Sequence, residues 1–224
     1  MPDLDTGLHV SMLATSKRAN ALPRRLLRAM RRAAQPYLYG EEWGALEDVP
    51  PLAFVLERYV RPHVDPAHTA LEIGPGGGRW TRHLIGFRQL YVVEYYAELL
   101  SEVRRTFGKR KNITFVKNNG TDFPNIPNDS VDFLFSFGVF VHLDFPIIEA
   151  YLDNIRPVIK PGANVVIHYA DQTKVMARLN DGFADNDPQR MRQAVVARGY
   201  EILEEDLTTM WHSSIVRFTK RDVT

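Results

Sequence analysis

The chain has 224 residues, 45% hydrophobic and 25% charged, the profile of a globular protein that can bury a core without metal or disulfide staples. Its 28 Lys and Arg stand against 27 Asp and Glu, and a net charge of +1 argues against a dedicated nucleic-acid binder. Cysteine is absent, which excludes disulfides, thiolate metal sites and any cysteine nucleophile.

Residues 1–50 read as a helical arm or lid, set apart from a domain over 51–224. The start, Met1-Pro2-Asp3-Leu4-Asp5, is acidic and unlike a secretory signal. No stretch approaches the ~20 apolar residues of a membrane span, so the expected location is the cytoplasm. Lys17, Arg18, Arg24, Arg25, Arg28, Arg31 and Arg32 come with no acid among them. Leu22, Leu26, Met30 and Ala33 recur at helical spacing behind Pro23, so the pattern predicts a basic amphipathic helix. Its face is either plainly solvated or a peripheral contact for anionic lipid, phosphorylated substrate or an acidic partner. Tyr37, Tyr39 and Trp43 follow between glycines, as a pocket wall or a staple to the domain.

From Leu52 the pattern alternates helix and short apolar strand. Leu52 to Val60 reads as helix, Ala70 to Ile73 as strand, and a glycine turn leads into a helix through Leu84. Strands are expected at Gln89–Glu94, Ile113–Val116, Val131–Ser136 and Asn164–Tyr169, with helices at Ala97–Phe107 and Ile147–Ile159. Lys160-Pro161-Gly162 is read as the stop between that helix and the fifth strand. A helix over Asp187–Arg198 and strands over Tyr200–Leu207 and Ser213–Thr219 close the chain. This order predicts an α/β fold with a doubly wound, mostly parallel seven-stranded sheet.

The strongest signal is Leu71-Glu72-Ile73-Gly74-Pro75-Gly76-Gly77-Gly78-Arg79-Trp80, between the first strand and a helix. A dinucleotide fingerprint counted from Gly74 requires a third glycine at position 79, which is Arg79. The pattern that fits is E-x-G-x-G-x-G, from Glu72, Gly74, Gly76 and Gly78. In this the chain resembles the class I S-adenosylmethionine-dependent methyltransferases, in order over roughly residues 52–220. The resemblance implies the Rossmann-like methyltransferase fold and S-adenosyl-L-methionine as cofactor. It places Glu72, Gly74, Pro75, Gly76 and Gly78 against the methionine part, and Glu94, 20 positions after Gly74, on the ribose hydroxyls. Where that family often has Gly-Asp-Ala, this chain has Asn118-Asn119-Gly120. The adenine amino group then meets Asn119 or the nearby Asp122, beside Gly120, and Phe137 completes the cofactor set.

Methyl transfer to an alcohol is helped by a base that takes its proton, and histidine suits that role. His142, His168 and His212, with Asp171, fall at strand ends that converge if the last strand is antiparallel, as in that family. His9, His63, His68 and His83 read as structural or exposed. Asp144 and Asp171 are the residues that would hold Mg²⁺ with substrate oxygens, but no spacing demands a metal.

The place of an Asn/Asp-Pro-Pro-Tyr motif is taken by Ser136-Phe137-Gly138-Val139, which argues against DNA amines and protein Gln as acceptors. Without cysteine, cytosine C5 is excluded as well. Gly78-Arg79-Trp80-Thr81 and the closing aromatic–His strand are similar to bacterial enzymes that O-methylate sugars in polysaccharide or glycolipid assembly. The acceptor is then a small molecule or glycan hydroxyl, with Tyr37, Tyr39, Trp43 and Trp211 stacking on sugar faces and Asp144 beside them. The alternatives are a phenolic or amine metabolite and, in another class, a non-catalytic cofactor-binding partner subunit. A homo-oligomer is compatible with all three.

Overall fold

The computed structural model describes residues 44–221. Tyr37, Tyr39, Trp43 and the basic stretch from Lys17 to Arg32 lie outside them.

A 3-10 turn at Leu46–Asp48 leads into α1, Pro50–Val55, which continues as a π turn, Leu56–Val60, and a 3-10 turn, Arg61–His63. Pro50 and Pro51 therefore open a helix, where their fixed φ and missing N–H cost nothing. Leu46 is buried, so the domain's packing begins before residue 51. Next come β1, Thr69–Ile73; α2, Thr81–Leu84; β2, Gln89–Glu94; α3, Ala97–Phe107; and β3, Ile113–Lys117. The second half runs β4, Val131–Phe140; α4, Phe145–Val158; β5, Ile159–Ala170; α5, Val175–Arg178; α6, Pro188–Ala197; β6, Tyr200–Asp206; and β7, Ser213–Lys220.

The seven strands lie in the order β3-β2-β1-β4-β5-β7-β6. β7 runs antiparallel to both β5 and β6, and the other pairings are parallel. The winding reverses between β1 and β4, and a crevice at such a point, outside the carboxyl ends of the strands, is where doubly wound sheets bind ligands.

Both faces of the sheet are covered, which is why the central strands read as apolar runs without alternation. Leu71, Ile73 and Leu134 point to the side of Ile148, Leu152 and Ile155 on α4 and Met191 on α6. Ala70, Phe133 and Phe135 point to the side of Val55, Leu56 and Trp80 and of Leu100 and Val103 on α3. The helix ends follow local chemistry. Asp187 caps α6 by accepting from the Arg190 N–H at 2.9 Å, with Pro188 behind it, and Gly199 at φ 73° turns the chain out.

Two boundaries differ from the sequence pattern. β4 continues past Ser136 to Phe140, because Phe137 and Phe140 extend its apolar run and a register shift there accommodates Gly138 at φ 78°. β5 already begins at Ile159, so Lys160-Pro161-Gly162 is a bulge inside the strand, opposite a break in register with β4, and not a stop before it.

Candidate active site

The turn after β1 is set by backbone hydrogen bonds. The Gly74 N–H donates to Val93 O at 2.8 Å and the Gly78 N–H to Pro75 O at 2.8 Å. Gly74, Gly76 and Gly78 all have positive φ, at 71°, 55° and 92°. At Gly74 a Cβ would lie 2.1 Å from a Val139 methyl, and at Gly78 it would lie 2.4 Å from the Phe107 ring. Gly78 thus allows α3 to pack close, the task that a dinucleotide fingerprint gives to a glycine one position later.

Two buried acids stand on the same side of the sheet. Glu72 accepts from the Thr81 hydroxyl at 2.6 Å. Burial pushes its pKa up to about 8; the Thr81 bond opposes this and the charge of Glu94 adds to it. Glu94, at the end of β2, accepts from the Tyr96 N–H at 2.7 Å. Burial raises its pKa too, against backbone hydrogen bonds and Lys117.

After β3 the two residues read for adenine hold their own loop. The Asn119 N–H donates to Asp122 Oδ1 at 2.7 Å, and Asn119 Oδ1 accepts from the N–H groups of Thr121 and Asp122. Gly120 sits at φ 117° beside the Tyr95 ring. The unclaimed acceptor belongs to Asn118, which the sequence reading passed over. It is buried, its Nδ2 donates to the Tyr151 hydroxyl at 3.1 Å, and among the described residues its Oδ1 has no partner.

The three histidines at the strand ends come together. His168 is fully enclosed, its ring 6.2 Å from that of His212. Phe183 stands edge-on to His142 at 5.6 Å and to His212 at 5.1 Å. Burial lowers the pKa of His168 well below the usual value, helped by the charges of His212, His142 and Lys174. Both its ring nitrogens are engaged, Nδ1 by the Gly138 N–H at 3.1 Å and Nε2 by the Ser213 hydroxyl. Phe137 covers its face. His168 therefore presents no nitrogen to a substrate. His142 is exposed and its Nδ1–H donates to Gly182 O at 2.7 Å, which leaves Nε2 with the lone pair. His212 is half-buried, and burial and Lys174 lower its pKa.

Asp171 is buried and fully engaged. It accepts from the Ser214 hydroxyl at 2.6 Å and from the Thr173 N–H at 3.1 Å, and it pairs with Lys174 at 3.6 Å. Burial opposes its charge, but these partners outweigh it and hold the carboxyl below the usual range. Lys174 then donates to Met210 O at 2.9 Å and Ser213 O at 2.6 Å, which fixes the entry into β7. The Asp171 carboxylate is thus held by Ser214, Thr173 and Lys174. Asp144 is exposed at the start of α4, and Trp211 is 72% exposed beside His212. Among the described residues no cluster of His, Asp and Glu can hold a metal ion, and no helix is long and apolar enough to cross a membrane. His63 stacks on Phe133, and His83 lies near Glu47, as structural histidines do. Ser213, Lys174 and Phe183 were invisible in the sequence, since no local pattern says that their loops meet.

A seven-stranded sheet in this order, with a glycine turn and a buried acid on adjacent strand ends at the switch point, defines the Rossmann-like methyltransferase architecture. A family model described as a methyltransferase domain matches residues 70–162, from β1 into β5. That stretch carries the glycine turn and Glu94, and over it the chain is similar to a methyltransferase domain. No curated protein matches the sequence. Among solved structures, a protein of Pyrococcus horikoshii OT3 is similar at 12% identity and a TM-score of 0.67, over 86% of this chain and 99% of that one. An S-adenosylmethionine-dependent methyltransferase of Aquifex aeolicus is similar at 17% identity and a TM-score of 0.57, over 85% and 96%. The glycopeptide N-methyltransferase MtfA, solved with S-adenosyl-L-methionine, is similar at 13% identity and a TM-score of 0.60, over 80% and 88%.

Proposed function

We propose that the enzyme transfers a methyl group to a hydroxyl of a sugar or glycan precursor, with His142 as general base. The observation that carries this reading is the His142 Nδ1–H bond to Gly182 O. It fixes the tautomer and leaves the Nε2 lone pair on an exposed ring, as a base for an incoming O–H requires.

The cofactor supplies an electrophilic methyl group on a sulfonium, so the protein's task is to bind, align and remove a proton. The residues present fit that cofactor. Gly74, Gly76 and Gly78 let the backbone approach it, and Glu94 would accept from its ribose hydroxyls. Among the described residues Asn118 Oδ1 is a buried acceptor without a partner, beside Glu94, whose carbonyl takes the Asn118 N–H at 3.2 Å, so this end of the crevice can accept one more hydrogen bond. The proton of the acceptor goes to His142 Nε2 as its oxygen takes the methyl group. Trp211, next to His212, and Asp144, two residues past His142, are both exposed and free to meet a polar ring.

An amine acceptor is the second reading, favoured by the likeness to MtfA, which is named for N-methylation of a glycopeptide. The test is a transfer assay with methyl-labelled S-adenosylmethionine over matched panels of sugars, phenols and amines. Label in an O-methyl sugar supports the proposal. Label confined to phenols or amines, with sugars inert, overturns it.

A further inference from the structure

The polar groups around His168 form a chain whose direction is fixed at one end. The Gly138 N–H is a backbone amide and can only donate, and it donates to His168 Nδ1 at 3.1 Å. Nδ1 must therefore carry the lone pair, and the proton of the neutral ring sits on Nε2. That nitrogen meets the Ser213 hydroxyl oxygen, which accepts. The hydroxyl hydrogen of Ser213 is then directed to His212 Nδ1 at 2.8 Å. His212 Nδ1 accepts, so its proton is on Nε2.

His168 and Ser213 are both buried, so water does not compete for these bonds. Burial also keeps His168 neutral, which the argument requires. Protonated His168 would set Nδ1–H against the Gly138 N–H, donor against donor. Lys174 holds the Ser213 carbonyl at 2.6 Å and fixes the hydroxyl's backbone in place.

Across the Phe183 ring the other histidine is pinned in the opposite sense, since His142 donates from Nδ1 to a carbonyl. We propose that Gly138, His168 and Ser213 set the polarity of a relay that makes His212 a hydrogen-bond donor in the site, opposite His142 as the acceptor. His212 is then the residue that orients the acceptor group, and Ser213 is a positioning residue acting through it. This rests on the reading of His142 as base and extends it. The two neighbouring histidines are not interchangeable, and only one of them can take a proton in the resting enzyme.

The experiment reads the tautomers directly, by long-range nitrogen–proton correlation spectra of the full ¹⁵N-labelled chain, assigned with single-histidine variants. Expected are His168 and His212 protonated on Nε2 and His142 on Nδ1. His212 protonated on Nδ1 overturns the proposal, as does wild-type His212 averaged between tautomers. In Ser213→Ala the His212 signal should become a tautomer mixture while His168 keeps its form; an unchanged His212 removes Ser213 from the relay. A kinetic arm uses glutamine, whose amide N–H replaces an Nε2–H. His212→Gln should stay within about threefold of wild type where His212→Ala falls about tenfold, as loss of one net hydrogen bond predicts. His142→Gln should be as slow as His142→Ala. Equal losses for both His212 variants count against the donor role. An inactive wild type fails the reading of the acceptor alone, because the tautomers are still measured.

Discussion

The Phe137 ring lies flat on the His168 imidazole, 4.0 Å between centroids and 8° between planes. Trp80 packs on the same phenyl ring at 4.7 Å, so the buried histidine is sealed by aromatics from the glycine-turn side.

Phe137→Ala should open that seal. A buried Phe reduced to Ala costs about 3 kcal/mol, less here because Phe137 is only partly buried. Water entering the gap would relieve the burial that keeps the His168 pKa low. With a folded pKa below the unfolded value, His168 contributes stability that is complete above about pH 6.5 and lost as pH falls through that value. The variant should be less stable at neutral pH but less sensitive to acid. Urea unfolding between pH 5 and 8 checks both, and an unchanged pH slope would count against the assignment.

Glu72→Gln should act in the opposite pH window. Its folded pKa is about 8, above an ordinary 4.5, so the unfolded chain releases the proton first and stability falls as pH rises between those values. Gln keeps the acceptor for the Thr81 hydroxyl and removes the titration. At pH 7 the variant should be more stable by up to about 3 kcal/mol, with the difference shrinking toward pH 5. Chemical denaturation of the protein without cofactor measures this. A difference from wild type that is the same at both pH values would mean that Glu72 is ionised in the fold.

Gly74→Ala should abolish cofactor binding. The added methyl would lie 2.1 Å from Val139, at a φ of 71° that Ala tolerates poorly, so the turn must shift. Calorimetry with S-adenosylmethionine should show no heat while circular dichroism stays near wild type. Unchanged affinity would remove the turn from the binding site.

Much of this was legible before the fold. The strand and helix order and the glycine turn follow from periodicity and from residues with few conformational options. The convergence of His142, His168 and His212 followed once β7 was taken as antiparallel. Which of them can react did not, because that depends on hydrogen bonds from Gly138, Ser213 and Gly182, in segments far apart in sequence. The same holds for Asn118 and Asn119. Both are amides after β3, but one folds its oxygen into its own loop and the other leaves its oxygen without a partner among the described residues.

Glu94 gives cofactor affinity a pH dependence with a definite sign. A carboxylate accepts ribose hydroxyls better than a carboxylic acid does, and burial raises this pKa above the ordinary 4.5. Affinity should be full above the raised pKa and fall about tenfold for each unit below it. In Glu94→Gln the affinity should be weaker at pH 8 and nearly flat with pH. Titrations from pH 5 to 8 distinguish these curves, and a flat wild-type profile would show that Glu94 does not accept from the cofactor.

His142→Ala tests the base. General bases contribute about 10²- to 10⁴-fold, so kcat should fall at least a hundredfold. The residue lies past β4, separate from the glycine turn and Glu94, so the dissociation constant for S-adenosylmethionine should stay within about twofold of wild type. Exposed His142 makes one bond to Gly182 and one edge contact to Phe183, so stability should change by less than about 1 kcal/mol. A fall in turnover with stability and cofactor affinity intact would locate the loss in proton removal. If turnover survives, the proton leaves by another route, and His212 cannot provide it without first reversing the bond to Ser213.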